Sequence, residues 1–448
     1  MQNTKLLINF IELCFDTVSP GYKYYNTWHI KIIADVLQAA FSGKVTRIIV
    51  NMPPRSMKSI CISVAWPAWI LGIRPEARII VASYSQILSL KHSLDTRCIL
   101  QSDWYRELFP ETKLAQDTQY KFQTTKMGFR FATSVGGTLT GEGGDFLIVD
   151  DPLTPMQAAS ERMRSRANAW FDQTFATRLN DRKTGVIVVV MHRLHPDDLT
   201  GHLLEKSGWH HLCLPMIAEE KQTIYSQMRD VLYVREKGEL LLPVEKKDVE
   251  QIKIELGTYA FAAQYQQHPL SECQIKQEWI KRYRDYPGDL SYVTQSWDTA
   301  NSQDKDFSAC TTWAKVDNMF YLLDSYRAKL EYPSLKQQVL FLAKRWRPHA
   351  ILIEAKASGQ QLIQELKAYS ILPIIKIIPS ANKITRFHQT VPLIEAGRVF
   401  LPHRAVWLSD FEYELFMFPK VQYDDQVDSM TQYLNWVYSY NTPKIVCF

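Results

Sequence analysis

The chain has 448 residues, of which 46% are hydrophobic and 22% charged; this length points to two domains and this composition excludes disorder on a large scale. The net charge of +5 and pI of about 8.6 are compatible with a nucleic-acid partner without requiring one. The seven cysteines (Cys14, Cys61, Cys98, Cys213, Cys273, Cys310 and Cys447) form no CxxC pair, which argues against zinc and disulfide frameworks and for a reducing cytosol.

The apolar N-terminal stretch is interrupted by Asn9 and Glu12 and reads as an amphipathic helix, not a signal peptide. No apolar run reaches the ~18 residues of a membrane span, so no membrane partner is expected. Strand and helix patterns then alternate. Residues 46–51 predict a strand, 59–72 a helix with Pro67 as an irregularity, 77–82 a strand and 85–101 a long helix. Strands are expected at 129–132 and 146–150, a helix at 156–178, and the most hydrophobic strand, VIVVVM, at 186–191. The expectation for 1–220 is an α/β domain, a mostly parallel sheet with helices on both faces. Residues 221–280 are polar and glutamine-rich, with FAAQYQQHP at 261–269, and read as a partly helical connecting segment. From 281 to 448 the order changes. Strands at 291–298, 309–316 and 319–326 have no helices between them. Helix 333–346, strand 350–354, helix 358–369, strand 373–378, helix 384–396 and helices near 407–417 and 425–438 follow. Three strands and then α-β-α-β-α predict the mixed sheet of an RNase H-like domain.

NMPPRSMKSI (51–60) lies between a strand and a helix, the context in which backbone N–H groups at a helix start hold phosphates. In a P-loop of this kind Arg55, Ser56 and Met57 would line the loop, Lys58 would reach the β- and γ-phosphates of ATP, and Ser59 would hold Mg²⁺. Both usual glycine positions carry methionine, Met52 and Met57. FLIVDDP has the form of a Walker B strand, with Asp150 toward the Mg²⁺ and Asp151 toward the attacking water. His192 and Arg193 end a third strand where a γ-phosphate would be sensed, and Trp28 and His29 are candidates to stack on adenine. Each motif alone has a bland reading, a polar turn or a core aromatic; their order along the chain favours the functional one.

The second half places acids at strand and helix ends: Asp298 after the first strand, Glu354 after the fourth, and Asp424, Asp425 and Asp428 at the start of the last helix. Asp425 and Asp428 are three apart and share a helix face. Asp298, Glu354, Asp425 and Asp428 would converge on two divalent cations about 4 Å apart and cleave a phosphodiester. Oxygen-only ligands suit Mg²⁺ or Mn²⁺. Which of Asp424, Asp425 and Asp428 binds metal stays open. Lys356, Lys383, Arg386 and Arg404 are candidates to track a DNA backbone.

The ordered set PPRSMKS, TSVGGTLTGEGGDFLIVDDP, VVVMHRLHPDDL, TYAFAAQYQQHP, SWDTA, ILIEAKASGQQLIQEL, EAGRV and DDQVDS resembles the large subunits of tailed-phage terminases, including prophage copies, over roughly residues 25–440. The resemblance implies a P-loop ATPase that drives double-stranded DNA through a portal protein into a procapsid, and a nuclease that cuts concatemeric DNA. It implies a small terminase subunit as partner, a homo-oligomeric ring on the procapsid with a monomer in isolation, and the host cytoplasm as location. By motif match Lys58, Ser59, Asp150 and Asp151 take the ATPase roles, and Asp298, Glu354, Asp425 and Asp428 the nuclease roles. The chain departs from its relatives at Met57 and at Glu142, where many packaging motors carry a trans-acting arginine; Arg162, Arg166 and Arg178 are substitutes. The alternatives are a P-loop translocase or helicase without nuclease activity, a nuclease with a structural N-terminal half, a DNA-binding scaffold, and a degenerate prophage remnant.

Overall fold

The computed structural model describes residues 5–441 except 138, 140, 226–232, 271–274, 287–289, 291, 301–306 and 380; Cys273 and Cys447 lie outside the described residues. The chain forms two compact units, Met1–Lys253 with Thr258–Ser271, and Ile254–Gly257 with Glu272–Phe448.

The first unit is built on an eight-stranded sheet: β1 (Arg47–Asn51), β2 (Arg78–Ser83), β3 (Leu114–Asp117), β4 (Lys121–Thr124), β5 (Phe129–Ser134), β6 (Phe146–Asp150), β7 (Val186–Met191) and β8 (His210–Cys213). The order is β3-β4-β5-β2-β6-β7-β1-β8. The run from β5 to β8 is parallel, and β3–β4–β5 is an antiparallel meander at one edge. Alternate residues of the central strands point to opposite faces, and both faces are covered. Ile48, Val50, Ile79, Val81, Ile148 and Val188 join a core with helices Leu7–Val18, Trp28–Phe41 and Trp66–Ile73. Ile49, Ile80, Leu147, Val149, Ile187 and Val189 join a second core with Trp170, Phe175 and Leu203. Burial on two faces is why these strands read as continuous apolar runs. The long helix expected at 156–178 is broken into Pro155–Ala158, Glu161–Trp170, a π turn and a 3₁₀ turn.

Within 221–280, β9 (Gln222–Ile224) and β10 (Tyr233–Arg235) form a two-stranded ribbon, and Lys246–Gln264 is helical with a kink at Gly257. The glutamines of FAAQYQQHP pin this stretch to the first unit: Gln266 exchanges hydrogen bonds with Ile217 N and O (2.9 and 3.0 Å), and Gln267 Oε1 accepts from Arg193 N (3.0 Å).

The second unit holds a mixed seven-stranded sheet: β11 (Lys281–Tyr283), β12 (Val293–Asp298), β13 (Ser308–Val316), β14 (Met319–Ala328), β15 (Ala350–Glu354), β16 (Ile374–Ile377) and β17 (Val399–Pro402). Its order is β11-β17-β14-β13-β12-β15-β16. The β12–β13–β14 meander is antiparallel, whereas β15 and β16 add in parallel beside β12. The final helix, Asp425–Asn441, is locked onto β12 and β13. Ser429 Oγ donates to Ser296 O at 2.7 Å, and Gln432 Nε2 donates to Ser296 Oγ at 2.9 Å.

Candidate functional site

In the first unit the carboxyl ends of β1, β6 and β7 are adjacent, the place where open parallel sheets bind ligands. The loop after β1 turns sharply: Arg55 and Met57 have φ of 60° and 63°, the left-handed region. Glycine enters that region without a Cβ penalty, so Met57 takes the backbone form of the usual glycine at a cost. Ser56 Oγ donates to Pro53 O at 2.7 Å and closes the turn. Lys58 Nζ lies 3.2 Å from Asp151 Oδ2 and 3.3 Å from His192 Nδ1, and Ser59 Oγ donates to Asp150 Oδ1 at 3.1 Å. Asp151, with φ of 42°, also accepts from His192 N at 3.1 Å. The two aspartates are driven apart electrostatically. Burial and the neighbouring Asp151 charge push the Asp150 carboxyl up. Burial acts upward on Asp151 too, but Lys58 and His192 outweigh it and hold that carboxyl well below its usual range.

The other candidates near this loop divide. His192 is at the site; Arg193 is turned into its own loop, with Nε 3.0 Å from both Asp198 carboxylate oxygens and Nη2 on the His195 and Pro196 carbonyls. Trp28 stacks on Tyr233 with centroids 4.4 Å apart and has the Arg235 guanidinium at 5.4 Å, so the ring expected to meet adenine is engaged by protein. His29 is buried, its ring on Thr27 Oγ1 at 3.0 Å and on the Ser56 backbone, where it braces the loop. Glu142 pairs with Lys121 at 2.7 Å, and Arg162 and Arg166 are exposed.

In the second unit one pocket of about 180 Å³ is lined by Asp298, Glu354, Asp424, Asp425 and Asp428 together with Lys356, Lys383 and Arg386. Asp298 and Glu354 arrive there because β12 and β15 are parallel neighbours in register, with Trp297 opposite Ile353. The final helix brings the rest. Its start is anchored by buried Glu414, which accepts from Gln426 N (3.0 Å) and Nε2 (2.7 Å) and pairs with Arg327. Gly359 explains part of the ASGQ motif: a Cβ there would sit 2.1 Å from Glu354 O and 2.9 Å from Thr299 Oγ1.

Basic side chains reach into this pocket. Arg386, expected to track DNA, is buried; it donates through Nη1 to Glu354 Oε2 (2.8 Å) and through Nη2 to Asp428 Oδ1 (3.3 Å). Lys383 Nζ lies 2.6 Å from Asp428 Oδ2 and 2.8 Å from Asp424 Oδ1, and Lys356 pairs with Glu354. Burial pushes Glu354 up, but Lys356 and Arg386 outweigh it and hold the carboxyl below its usual value. Asp298 is pushed well up by burial and by Asp428 and Glu354, Asp428 is raised by burial, and burial takes Asp425 to about 6. Among the described residues no three metal-ligating side chains are closed around one point. The donor set nevertheless fits hard cations. It is all oxygen, more carboxylates than cations line the pocket, and Asp425 Oδ2 is buried with no hydrogen-bond partner. The pairing of Lys383 and Arg386 with these acids was not visible in the sequence, which offered both as candidates to track a DNA backbone.

Comparison with known proteins bears on both units. Residues 295–436 match the Terminase RNaseH-like domain family. No curated protein matches the sequence. Among solved structures, the large terminase of a thermophilic bacteriophage is similar at 11% identity, covering 91% of this chain and 98% of that one, with a TM-score of 0.56. The same terminase in complex with ADP gives 0.54 at 10% identity over 92% and 98%. Its complex with ATP-gamma-S gives 0.53 at 10% identity over 90% and 98%. The fold of the chain is thus similar to that of a phage large terminase, and residues 295–436, from within β12 into the final helix, match the terminase RNase H-like domain family.

Proposed function

We propose that this chain is a terminase large subunit that uses ATP hydrolysis to drive viral double-stranded DNA into a procapsid and cuts concatemeric DNA at a metal-dependent nuclease site. The observation that carries the reading is the gathering of five carboxylates from three distant stretches of chain around one pocket of the second unit. In the first unit, Lys58, Ser59, Asp150, Asp151 and His192 meet at the ends of three parallel strands. The thermophilic-phage terminase of similar fold binds ADP and ATP-gamma-S, which supports ATP as the ligand here.

In the ATPase site, loop amides of Arg55, Ser56 and Met57 would surround the phosphates, Ser59 and Asp150 would hold the nucleotide's Mg²⁺, and Lys58 would pass from Asp151 to the γ-phosphate. That transfer frees Asp151, already ionised, to orient the attacking water. In the nuclease site Asp298, Glu354, Asp425 and Asp428 would hold Mg²⁺ or Mn²⁺, which supplies water activation and charge stabilisation of the leaving oxygen. Lys383 and Arg386 neutralise the acids before metal arrives, and Arg386 keeps Glu354 and Asp428 at a fixed separation. The portal protein, the small terminase subunit, a ring of copies on the procapsid and the host cytoplasm belong to the same reading. In this reading Arg162 and Arg166, both exposed, and Arg178 are the candidates for an arginine acting across a subunit boundary.

Two assays on purified protein test this: DNA-stimulated ATP hydrolysis, and plasmid cleavage in Mn²⁺. Lys58→Ala should abolish the first and spare the second; Asp298→Ala should do the reverse. A translocase without nuclease activity leaves every DNA reaction unchanged by Asp298→Ala, a nuclease with a structural N-terminal half shows no ATP hydrolysis, and a scaffold or an inactive remnant shows neither activity.

A further inference from the structure

The turn immediately behind Lys58 and Ser59 is a π-helix, Ile60–Ala65, running into helix Trp66–Ile73. Single π turns are rare and cluster at functional sites, because the extra residue leaves local carbonyls in need of other partners. One carbonyl of this turn accepts a side-chain donor from another element, and a second has a hydroxyl close by that it shares with another acceptor. Arg130 Nη2, on β5, donates to Ser63 O at 3.2 Å, and Thr96 Oγ1 lies 3.3 Å from Val64 O while also donating to His92 O at 2.8 Å.

Arg130 is an unusual occupant of its place. It is fully buried, and its Nε and Nη1 have no hydrogen-bond partner. A buried guanidinium with unmet donors is costly, and an apolar side chain would fill the strand position at less expense. What the arginine adds is its bond to Ser63 and its charge near Asp150 and Asp95. The turn it holds begins at Ile60, directly after Ser59, whose hydroxyl meets Asp150. On the far side of Asp150, His92 Nδ1 lies 3.5 Å from Oδ2.

We propose that Arg130 is a positioning residue: by holding Ile60–Ala65 in its π form it sets Ser59 against Asp150 so that the pair can receive the Mg²⁺ of a bound nucleotide. This rests on the reading of Lys58, Ser59 and Asp150 as a nucleotide site. Without the Arg130 bond the turn relaxes toward an α-helix, and the residues before it rotate relative to β6. The loop amides and Lys58 still grip phosphates; the Mg²⁺-dependent share of the affinity is lost.

The test is a fluorescence titration of the full chain with a methylanthraniloyl-labelled ADP, once in Mg²⁺ and once in EDTA. In the wild type, Mg²⁺ tightens binding. In Arg130→Met that gain should shrink about tenfold, the scale of one buried charged hydrogen bond, with the EDTA affinity unchanged. Arg130→Lys, which keeps a donor, should recover part of the gain, and Thr96→Val should lose a smaller part of it. These two variants carry the test if Arg130→Met does not fold. An unchanged gain in the variants overturns the proposal, as does an equal loss of affinity in both buffers, the mark of general destabilisation. A wild type that binds no nucleotide in either buffer overturns the nucleotide reading itself, and this proposal with it.

Discussion

Replacing Lys383 by methionine should tighten divalent-metal binding in the carboxylate pocket while destabilising the metal-free protein. Lys383 Nζ sits 2.6 Å from Asp428 and 2.8 Å from Asp424, and its side chain is 48% exposed. Two unit charges at about 4 Å interact by roughly 4 kcal/mol at an effective dielectric of 20. Half exposure and salt screening reduce such a pair toward about 1 kcal/mol. With two partners, the ammonium contributes about 1–2 kcal/mol to the metal-free state. A cation entering the pocket must displace that contact, so its loss returns a similar amount to binding, roughly a five- to thirtyfold lower Kd. Isothermal titration with Mn²⁺ reads the affinity, and thermal melts in EDTA and in Mn²⁺ read the stability. The expected result is a lower Tm in EDTA, a lower Kd, and a larger Mn²⁺-induced rise in Tm than in the wild type. An unchanged or weaker Mn²⁺ affinity in Lys383→Met would refute the reasoning.

The pocket should also respond to pH. Burial raises Asp425 to about 6, above its unfolded value of about 4. Its contribution to metal-free stability is therefore complete below about pH 4 and is lost as pH rises through about 6. Metal binding needs the ionised form, so the Mn²⁺-induced rise in Tm should grow between about pH 5 and 7.5; equal shifts at both ends would contradict this. His192→Ala removes a partner of both Lys58 and Asp151. ATP turnover should fall about a hundredfold with ADP affinity little changed, as measured by steady-state kinetics and a binding titration. Met57→Gly relieves a left-handed residue worth roughly 1–2 kcal/mol, part of which is offset by the greater freedom of glycine in the unfolded chain. Nucleotide affinity should hold or improve, and a tenfold loss would show that the Met57 side chain supports the loop. Gly359→Ala places a Cβ 2.1 Å from Glu354 O and should cost about 1–3 kcal/mol in a denaturant melt and weaken Mn²⁺ binding.

Much of this was legible in the chain because a strand buried on both faces must be apolar throughout and must end in polar residues. FLIVDD and VIVVVM therefore announced their strands, with candidate site residues at their ends, and a helix near 425–438 was expected where the final helix lies. Other features had no local signature. β17 is four residues ending in Pro402, and β11 is three; segments so short are stabilised by their neighbours and not by their own pattern. The π turn at Ile60–Ala65 is held by Arg130 and Thr96 from distant elements. Lys383 and Arg386 read as candidates to track a DNA backbone. Only the register of β12 with β15, and the docking of the last helix, places acids where those two side chains can meet them. Trp28 had the composition of a stacking residue, but its ring is taken by Tyr233.

The acids of the second unit must act together as ligands if the nuclease reading is to stand. Crystals soaked in Mn²⁺ and measured for anomalous scattering test this. Density is expected inside the pocket, within ligating distance of Asp298 and at least one of Glu354, Asp425 and Asp428, with Lys383 withdrawn. At saturating Mn²⁺, an empty pocket with ions only on exposed surface carboxylates would contradict the account.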